Sequence, residues 1–363
     1  MKLHKPLLWI HLVTGLAAAI VLLLLGATGA LLVYENEIDH TLNASLFRIH
    51  PQGERLPLDE LVRKVESARA GSRVGSLNLP GEDGIAYSVT LKQPQGKSLG
   101  VTVNPYTGEV IATLDSANVF MRKVHQFHKN LLLGPPGSQV MGWGAILLVV
   151  LALTGLVLWW PRKIWSLGGA KATGRVSFDW HNFIGFYSSI FMLIFGVTGI
   201  VIHWEEGAMQ LAGRLTGQST TALPVPKVAP AAPGAKPLTA GAAFTAATNA
   251  VPGAALVTMQ GLGGMNAPLR ITMRFPEDRT PAGRTNVFLH PTTGEVLLAQ
   301  TSRNAPAPYR IVKFWNRQLH TGDTFGWLSR IVTAIASAFL PLLTITGPLI
   351  WWSRLSRKRK TAA

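Results

Sequence analysis

Leu153-Thr-Gly-Leu-Val-Leu-Trp-Trp160 returns later in the chain as Ile345-Thr-Gly-Pro-Leu-Ile-Trp-Trp352. Each copy closes a long apolar run, and two further runs of the same kind lie upstream of them. A bilayer core of about 30 Å needs roughly 20 apolar residues of helix. The runs Pro6–Tyr34, 140–160, Phe183–Trp204 and Trp327–Trp352 all meet that length, and none carries Asp, Glu or Lys at its centre. Arg330 stands near the start of the fourth, where its guanidinium is expected to snorkel to the headgroups. A positive mean hydropathy with only 14% charged residues agrees with four transmembrane helices. The first run is longer than the 7–15 residues typical of a signal peptide's apolar region, so an uncleaved helix is expected.

Short segments between helices report orientation through their Lys and Arg content. Lys2 and Lys5 precede the first helix. Arg162, Lys163, Lys171 and Arg175 follow the second, and Arg354, Arg357, Lys358, Arg359 and Lys360 follow the fourth. All fall on one face, which marks the cytoplasm, and Trp159–Trp160 and Trp351–Trp352 stand as interfacial anchors beside it. Both termini are therefore expected inside and both long loops outside. The net charge of +16 follows from this bias and needs no nucleic-acid partner. No cysteine is present, which excludes disulfides and thiolate ligation.

The loops repeat as well as the helices. Val103-Asn-Pro-Tyr-Thr-Gly-Glu-Val-Ile111 matches Leu289-His-Pro-Thr-Thr-Gly-Glu-Val-Leu297, a strand, turn and strand in each case. Upstream, Leu58–Ala70 and Ala240–Ala250 read as helices, and Ala86–Leu91 and Leu269–Phe275 as alternating strands. Gly26-Ala-Thr-Gly29 likewise matches Gly196-Val-Thr-Gly199, followed by Tyr34-Glu35 and Trp204-Glu205. The fold class is thus a membrane all-α four-helix bundle with two external α+β domains, arranged as parallel tandem repeats about an axis along the membrane normal. The glycines of the repeated motifs are read as sites of close helix approach.

Histidines occupy matched positions in the two halves. His11 aligns with His181, both at cytoplasmic helix ends, and His128 aligns with His320, both just before a helix on the external side. Two histidines related by a twofold axis approach a point on that axis from opposite directions, the arrangement that axial ligation of haem iron requires. His11 with His181 and His128 with His320 are the expected ligand pairs. His203 and His125 are reserve candidates for a ligand or an electron exit, although their repeat equivalents are Val33 and Arg317. His4, His40, His50 and His290 read as surface residues, as do Arg270, Arg274 and Arg310. A zinc site is disfavoured because the tight pair His125–His128 has no carboxylate near it in sequence. No catalytic triad, P-loop or dinucleotide-binding loop is present, so no side chain is nominated as catalytic.

The His11 motif with Thr28-Gly29, Asn104-Pro-Tyr-Thr-Gly-Glu109, His128-x-x-Leu-Leu-Leu-Gly134, the His181 motif and Leu319-His-Thr-Gly322 together resemble the PepSY-associated transmembrane family of bacterial inner-membrane proteins. Members that act as siderophore reductases carry b-type haem in the bundle and reduce ferric siderophores in the periplasm. The resemblance implies two haem b groups, a ferric-siderophore substrate and PepSY-like external domains here.

The expected organisation is transmembrane helix 1 in residues 1–36, a first PepSY-like domain in 37–116, and a surface helix with transmembrane helix 2 in 117–160. A cytoplasmic loop follows in 161–179, transmembrane helix 3 in 180–206, and a linker in 207–239 whose Pro- and Ala-rich part begins at Thr216. A second PepSY-like domain in 240–302, a surface helix with transmembrane helix 4 in 303–353, and a basic tail in 354–363 complete it. With no reductase-like domain recognised after the fourth helix, the electron donor is expected to be a separate partner, either quinol or a cytoplasmic reductase. The contrasting expectation is a haem-free membrane protein whose external domains bind a periplasmic partner such as a peptidase. A transporter is less supported, since the helices hold no central carboxylate or interrupted segment.

Overall fold

The computed structural model describes residues 4–94, 96–114, 119–160, 173–220 and 225–362. Lys2, Arg162, Lys163 and Lys171, four of the charges behind the expected orientation, lie outside the described residues. The chain divides into two compact units. One comprises Met1–Glu35, Lys123–Leu215 and Ile311–Ala363, and the other Asn36–Arg122 and Thr216–Arg310.

The first unit is built on the helices His4–Leu32, Pro135–Trp159, Thr173–His203 and Trp327–Ala362, hereafter the first to fourth spans. Each is long and apolar enough to cross a membrane, which makes this a membrane protein. Outward-facing Ile20, Val157, Ile190 and Ile335 are left exposed, as lipid-facing side chains are. The helices overrun the apolar stretches that announced them. The third begins ten residues before Phe183 and the fourth runs ten residues past Trp352, because hydropathy marks bilayer depth whereas backbone hydrogen bonding continues into polar sequence.

Each odd-numbered span packs against both even-numbered ones, so the first and third face each other across the bundle. Ala18, Leu22, Leu148, Met192 and Leu340 form a buried layer midway along it. Close approach depends on two glycines. A Cβ at Gly26 would stand 2.5 Å from Pro341 and 2.8 Å from Leu340, and one at Gly196 would stand 2.6 Å from Val149. Ser337 uses this proximity to donate to the Gly26 carbonyl at 3.0 Å. Arg330 departs from the expectation of snorkelling alone. Its Nη2 and Nε donate to the Val33 carbonyl at 2.6 and 3.2 Å, and its guanidinium lies 4.9 Å from the Tyr34 ring centre. It thereby satisfies a carbonyl that the end of the first span leaves without a helical partner.

The second unit is one antiparallel sheet of eight strands. These are β1 (Arg73–Asn78), β2 (Tyr87–Lys92), β3 (Ser98–Val103), β4 (Val110–Leu114), β5 (Ala255–Gln260), β6 (Leu269–Arg274), β7 (Thr285–Leu289) and β8 (Val296–Gln300). Their order is β4-β3-β2-β1-β5-β6-β7-β8. The segments expected as two α+β domains each contribute four strands, and β1 and β5 join them through Ser76↔Gln260, Leu77↔Met259 and Asn78↔Thr258. Alternation along the strands sends Leu77, Val89, Leu91, Val101, Met259, Ile271 and Val287 into one core, which also takes Leu61 and Val65 from helix Leu58–Ala68 and Ala243 and Ala247 from helix Ala240–Ala250. The two Pro-x-Thr-Gly turns place Gly108 and Gly294 at φ +76, a conformation that costs glycine nothing. Helix Glu205–Thr216 occupies the first part of the expected linker segment 207–239.

Met259 is fully buried at the join between β1 and β5. Met259→Ala is expected to destabilise the sheet unit by about 2–5 kcal/mol, whereas Gln260→Ala, at the exposed neighbour, should stay within about 0.5 kcal/mol. Limited proteolysis of the detergent-purified chain across a denaturant series measures both.

Candidate cofactor site

His11 and His181 come from the first and third spans, which face each other across the bundle, and their ring centroids lie 6.2 Å apart. At the other end, His128 on the short helix Phe120–Asn130 and His320 on the short helix Asn316–Thr321 meet at 6.3 Å. The structure therefore brings together both expected pairs. The levels are set by helix rise. His11 and Thr28 on the first span, and His181 and Thr198 on the third, are both separated by 17 residues, about 25 Å of helix.

Each histidine is held through Nδ1 by a threonine of a neighbouring helix. Nδ1 of His11 is 2.9 Å from Thr154 Oγ1, and that of His181 is 2.9 Å from Thr346 Oγ1. His128 Nδ1 is 2.8 Å from Thr28 Oγ1, and His320 Nδ1 is 2.8 Å from Thr198 Oγ1. A glycine follows every one of these threonines and lies beside the ring. A Cβ at Gly155, Gly347, Gly29 or Gly199 would stand 3.2, 3.5, 3.4 or 3.9 Å from Cε1 of the corresponding histidine. Sequence reading noticed the Thr-Gly pairs but gave them only a packing role. Thr-Gly occurs in every span, and the copies that meet a histidine, Thr28-Gly29, Thr154-Gly155, Thr198-Gly199 and Thr346-Gly347, equal the paired histidines in number.

With Nδ1 occupied, Nε2 is the nitrogen left for a ligand. Two imidazole nitrogens about 2.0 Å from one metal atom, with each ring centre about 1.1 Å further back, put the centroids about 6.2 Å apart. The two pairs, at 6.2 and 6.3 Å, stand at a separation at which each could hold one metal atom between its rings. Burial pushes the His128 imidazole down to about 4, with the charge of His125 adding to the effect. It pushes His320 down to about 3, helped by His128 and Arg317. Both are then neutral at pH 7, the form with a lone pair to donate.

The reserve candidates lie elsewhere. His203 Nε2 is 3.3 Å from Gln139 Oε1 and its Nδ1 is 3.4 Å from Ser138 Oγ. Its ring fills the space over Gly142 and meets Trp204 edge-on at 4.4 Å. His125 Nδ1 is 3.0 Å from the Glu35 carboxylate, so the carboxylate not found near it in sequence is supplied by the end of the first span. A matching contact joins Lys313 to Glu205 after the third span. Of the expected surface histidines, His40 packs against Phe47, and His290 Nδ1 accepts from the Thr292 and Thr293 amides in its turn.

Four spans, a sheet unit and paired histidines at two levels define a polytopic membrane protein with an antiparallel sheet domain. The chain matches the PepSY-associated TM region over residues 8–354 and belongs to that family. No curated protein matches it.

Because the chain is free of cysteine, the pairing is open to a direct test. His11→Cys with His181→Cys, and His128→Cys with His320→Cys, should each be joined by a short bifunctional maleimide. His11→Cys with His320→Cys, a level apart, should not. Mass spectrometry of the digested protein reads the linkage.

Proposed function

We propose that this protein is a dihaem b-type oxidoreductase of the bacterial inner membrane that passes electrons to the periplasm and reduces ferric siderophores there. The observation that carries the reading is the double histidine pair, two pairs whose ring centroids stand 6.2 and 6.3 Å apart with Nδ1 held and Nε2 left free of those bonds. His11 and His181 would hold one haem, and His128 and His320 the other. Haem b supplies one-electron chemistry, each electron converting siderophore-bound Fe(III) to Fe(II), which hard hydroxamate or catecholate oxygens hold less tightly.

The chain's own residues supply position and medium. The threonines orient the rings, and the glycines let them approach. The layer of Ala18, Leu22, Leu148, Met192 and Leu340 keeps the space between the two levels apolar and lowers the local dielectric. The electron source is a quinol or a cytoplasmic reductase. A quinol gives up two electrons and two protons, enough for two ferric ions. The Lys and Arg of the short segments support both termini on the cytoplasmic side. The four-strand halves joined at β1 and β5 are read as two PepSY-like domains, repeated in tandem with the helices and facing the periplasm.

Visible spectra of the detergent-purified protein, oxidised and then dithionite-reduced, test the reading. Two low-spin b-type haems per chain are expected, with about half the haem lost in His11→Ala and again about half in His128→Ala, while His203→Ala keeps both. Purified protein with full haem should transfer electrons to a ferric hydroxamate, followed by trapping of Fe(II) with ferrozine. Absence of a Soret band after expression with ample haem overturns the proposal and leaves the paired external domains as a partner-binding module.

A further inference from the structure

The geometry points to Thr28, Thr154, Thr198 and Thr346 as positioning residues that fix the tautomer of the four paired histidines, holding the imidazole proton on Nδ1 and leaving Nε2 as a bare lone pair. Its use rests on the haem reading, but its existence does not.

Each threonine hydroxyl has a single proton to place. A threonine oxygen has one hydrogen to donate and two lone pairs to receive with. Oγ1 of Thr28, Thr154, Thr198 and Thr346 donates to the carbonyl four residues earlier, on Leu24, Val150, Ile194 and Leu342, at 2.6, 2.7, 2.5 and 2.8 Å. A carbonyl can only accept, so each hydroxyl proton is spent there. What Oγ1 offers the histidine is therefore a lone pair, and the donor across the 2.8–2.9 Å contact has to be Nδ1–H. A neutral imidazole with its proton on Nδ1 has none on Nε2.

The reverse arrangement is worse, because it would take the hydroxyl proton from the helix carbonyl. Threonine suits the task because its Oγ1 reaches the carbonyl of the preceding turn from within a helix. The following glycine lies against the ring, closest at Gly155, where a Cβ would stand 3.2 Å from His11 Cε1. Four independent occurrences, in four helices and at both levels, share this one wiring.

A neutral hydroxyl acceptor also tunes what the histidine gives to iron. Accepting Nδ1–H raises the electron density on Nε2 and favours the ferric state. Losing the acceptor should therefore raise the midpoint potential of the haem concerned and leave the other unmoved.

The first test needs no haem. Ring-15N-histidine NMR of the full apoprotein in detergent, with assignments from single His→Gln variants, should show His11, His128, His181 and His320 as the Nδ1–H tautomer. Thr28→Val should release His128 alone into a tautomer mixture, and Thr28→Ser, which keeps the hydroxyl, should restore it. In haem-loaded protein, potentiometric titration should show one of two components shifted upward by Thr28→Val and returned by Thr28→Ser. Nε2–H tautomers in the apoprotein, or tautomers indifferent to Thr28→Val, would overturn the assignment even if haem binds. Failure of haem to bind would sink the proposed function while the apoprotein spectra still decide this point.

Discussion

An imidazole N–H carried into an apolar helix bundle must find an acceptor, because an unmet buried donor costs about 1–3 kcal/mol. Helix backbones offer little, since their carbonyls are already engaged from within. A threonine resolves this by bonding back to its own helix and presenting its remaining lone pair sideways to a neighbour. That sideways lone pair is the constraint from which the bundle is laid out. It requires a second helix within hydrogen-bonding reach of every histidine, and tight packing at Gly26 and Gly196 to bring the helices close enough. The histidines of one level lie on the odd-numbered spans and are held by threonines of the even-numbered spans. At the other level the roles exchange, with the threonines on the odd-numbered spans and the histidines on the short helices that precede the even-numbered ones. Every span thus contributes one Thr-Gly unit.

The sheet unit is governed by a different force. Its strands bury a nearly continuous aliphatic face under two helices, and ladder hydrogen bonds pair each strand with its neighbours, leaving β4 and β8 at the edges. No cysteine reinforces it, so the join between β1 and β5 matters in proportion. Divided there, each half would be a four-stranded sheet with one helix and a newly exposed strand edge, an arrangement prone to pairing with other chains. Joined, the halves share Leu61, Val65, Ala243 and Ala247 over a common core. The smaller side chains on helix Ala240–Ala250 let it sit close to the sheet, and Asp59 of the other helix accepts from the Gly241 amide at 2.7 Å at its start.

Features written in local pattern were legible from sequence. The four spans follow from uninterrupted apolar length, and the histidine pairs follow from a repeat that placed His11 with His181 and His128 with His320. Features decided by partners distant in the chain were not. The Glu35 carboxylate beside His125 lies 90 residues away in sequence, and the Arg330 bond to Val33 spans 297, so neither leaves a local mark. The threonines were hidden for another reason. Thr-Gly in an apolar helix is equally the signature of close packing, and Gly26 and Gly196 in the same motifs do serve that purpose. Distinguishing the two uses requires knowing which face of each helix a histidine approaches.

The backbone between His128 and the second span, and between His320 and the fourth, shows where the arrangement costs energy. Leu131 and Leu132 have φ of 54° and 60°, the positive-φ non-glycine residues of the described chain. Left-handed leucine costs about 1–2 kcal/mol per residue, and Leu132 is exposed, so burial of its side chain does not offset this. What the strain achieves is a sharp break between helix Phe120–Asn130 and the second span, completed by Gly134 at φ +66. Gly322 and Gly326, at φ +82 and +71, make the corresponding break between helix Asn316–Thr321 and the fourth span without strain. A continuous helix would carry His128 along the axis of the second span and away from Thr28. Bent at this corner, the short helix lies across the bundle's end and turns the ring inward to the first span. The chain accepts two left-handed leucines where glycine would have served, so the position of His128 is over-determined by its contacts to Thr28 and Gly29.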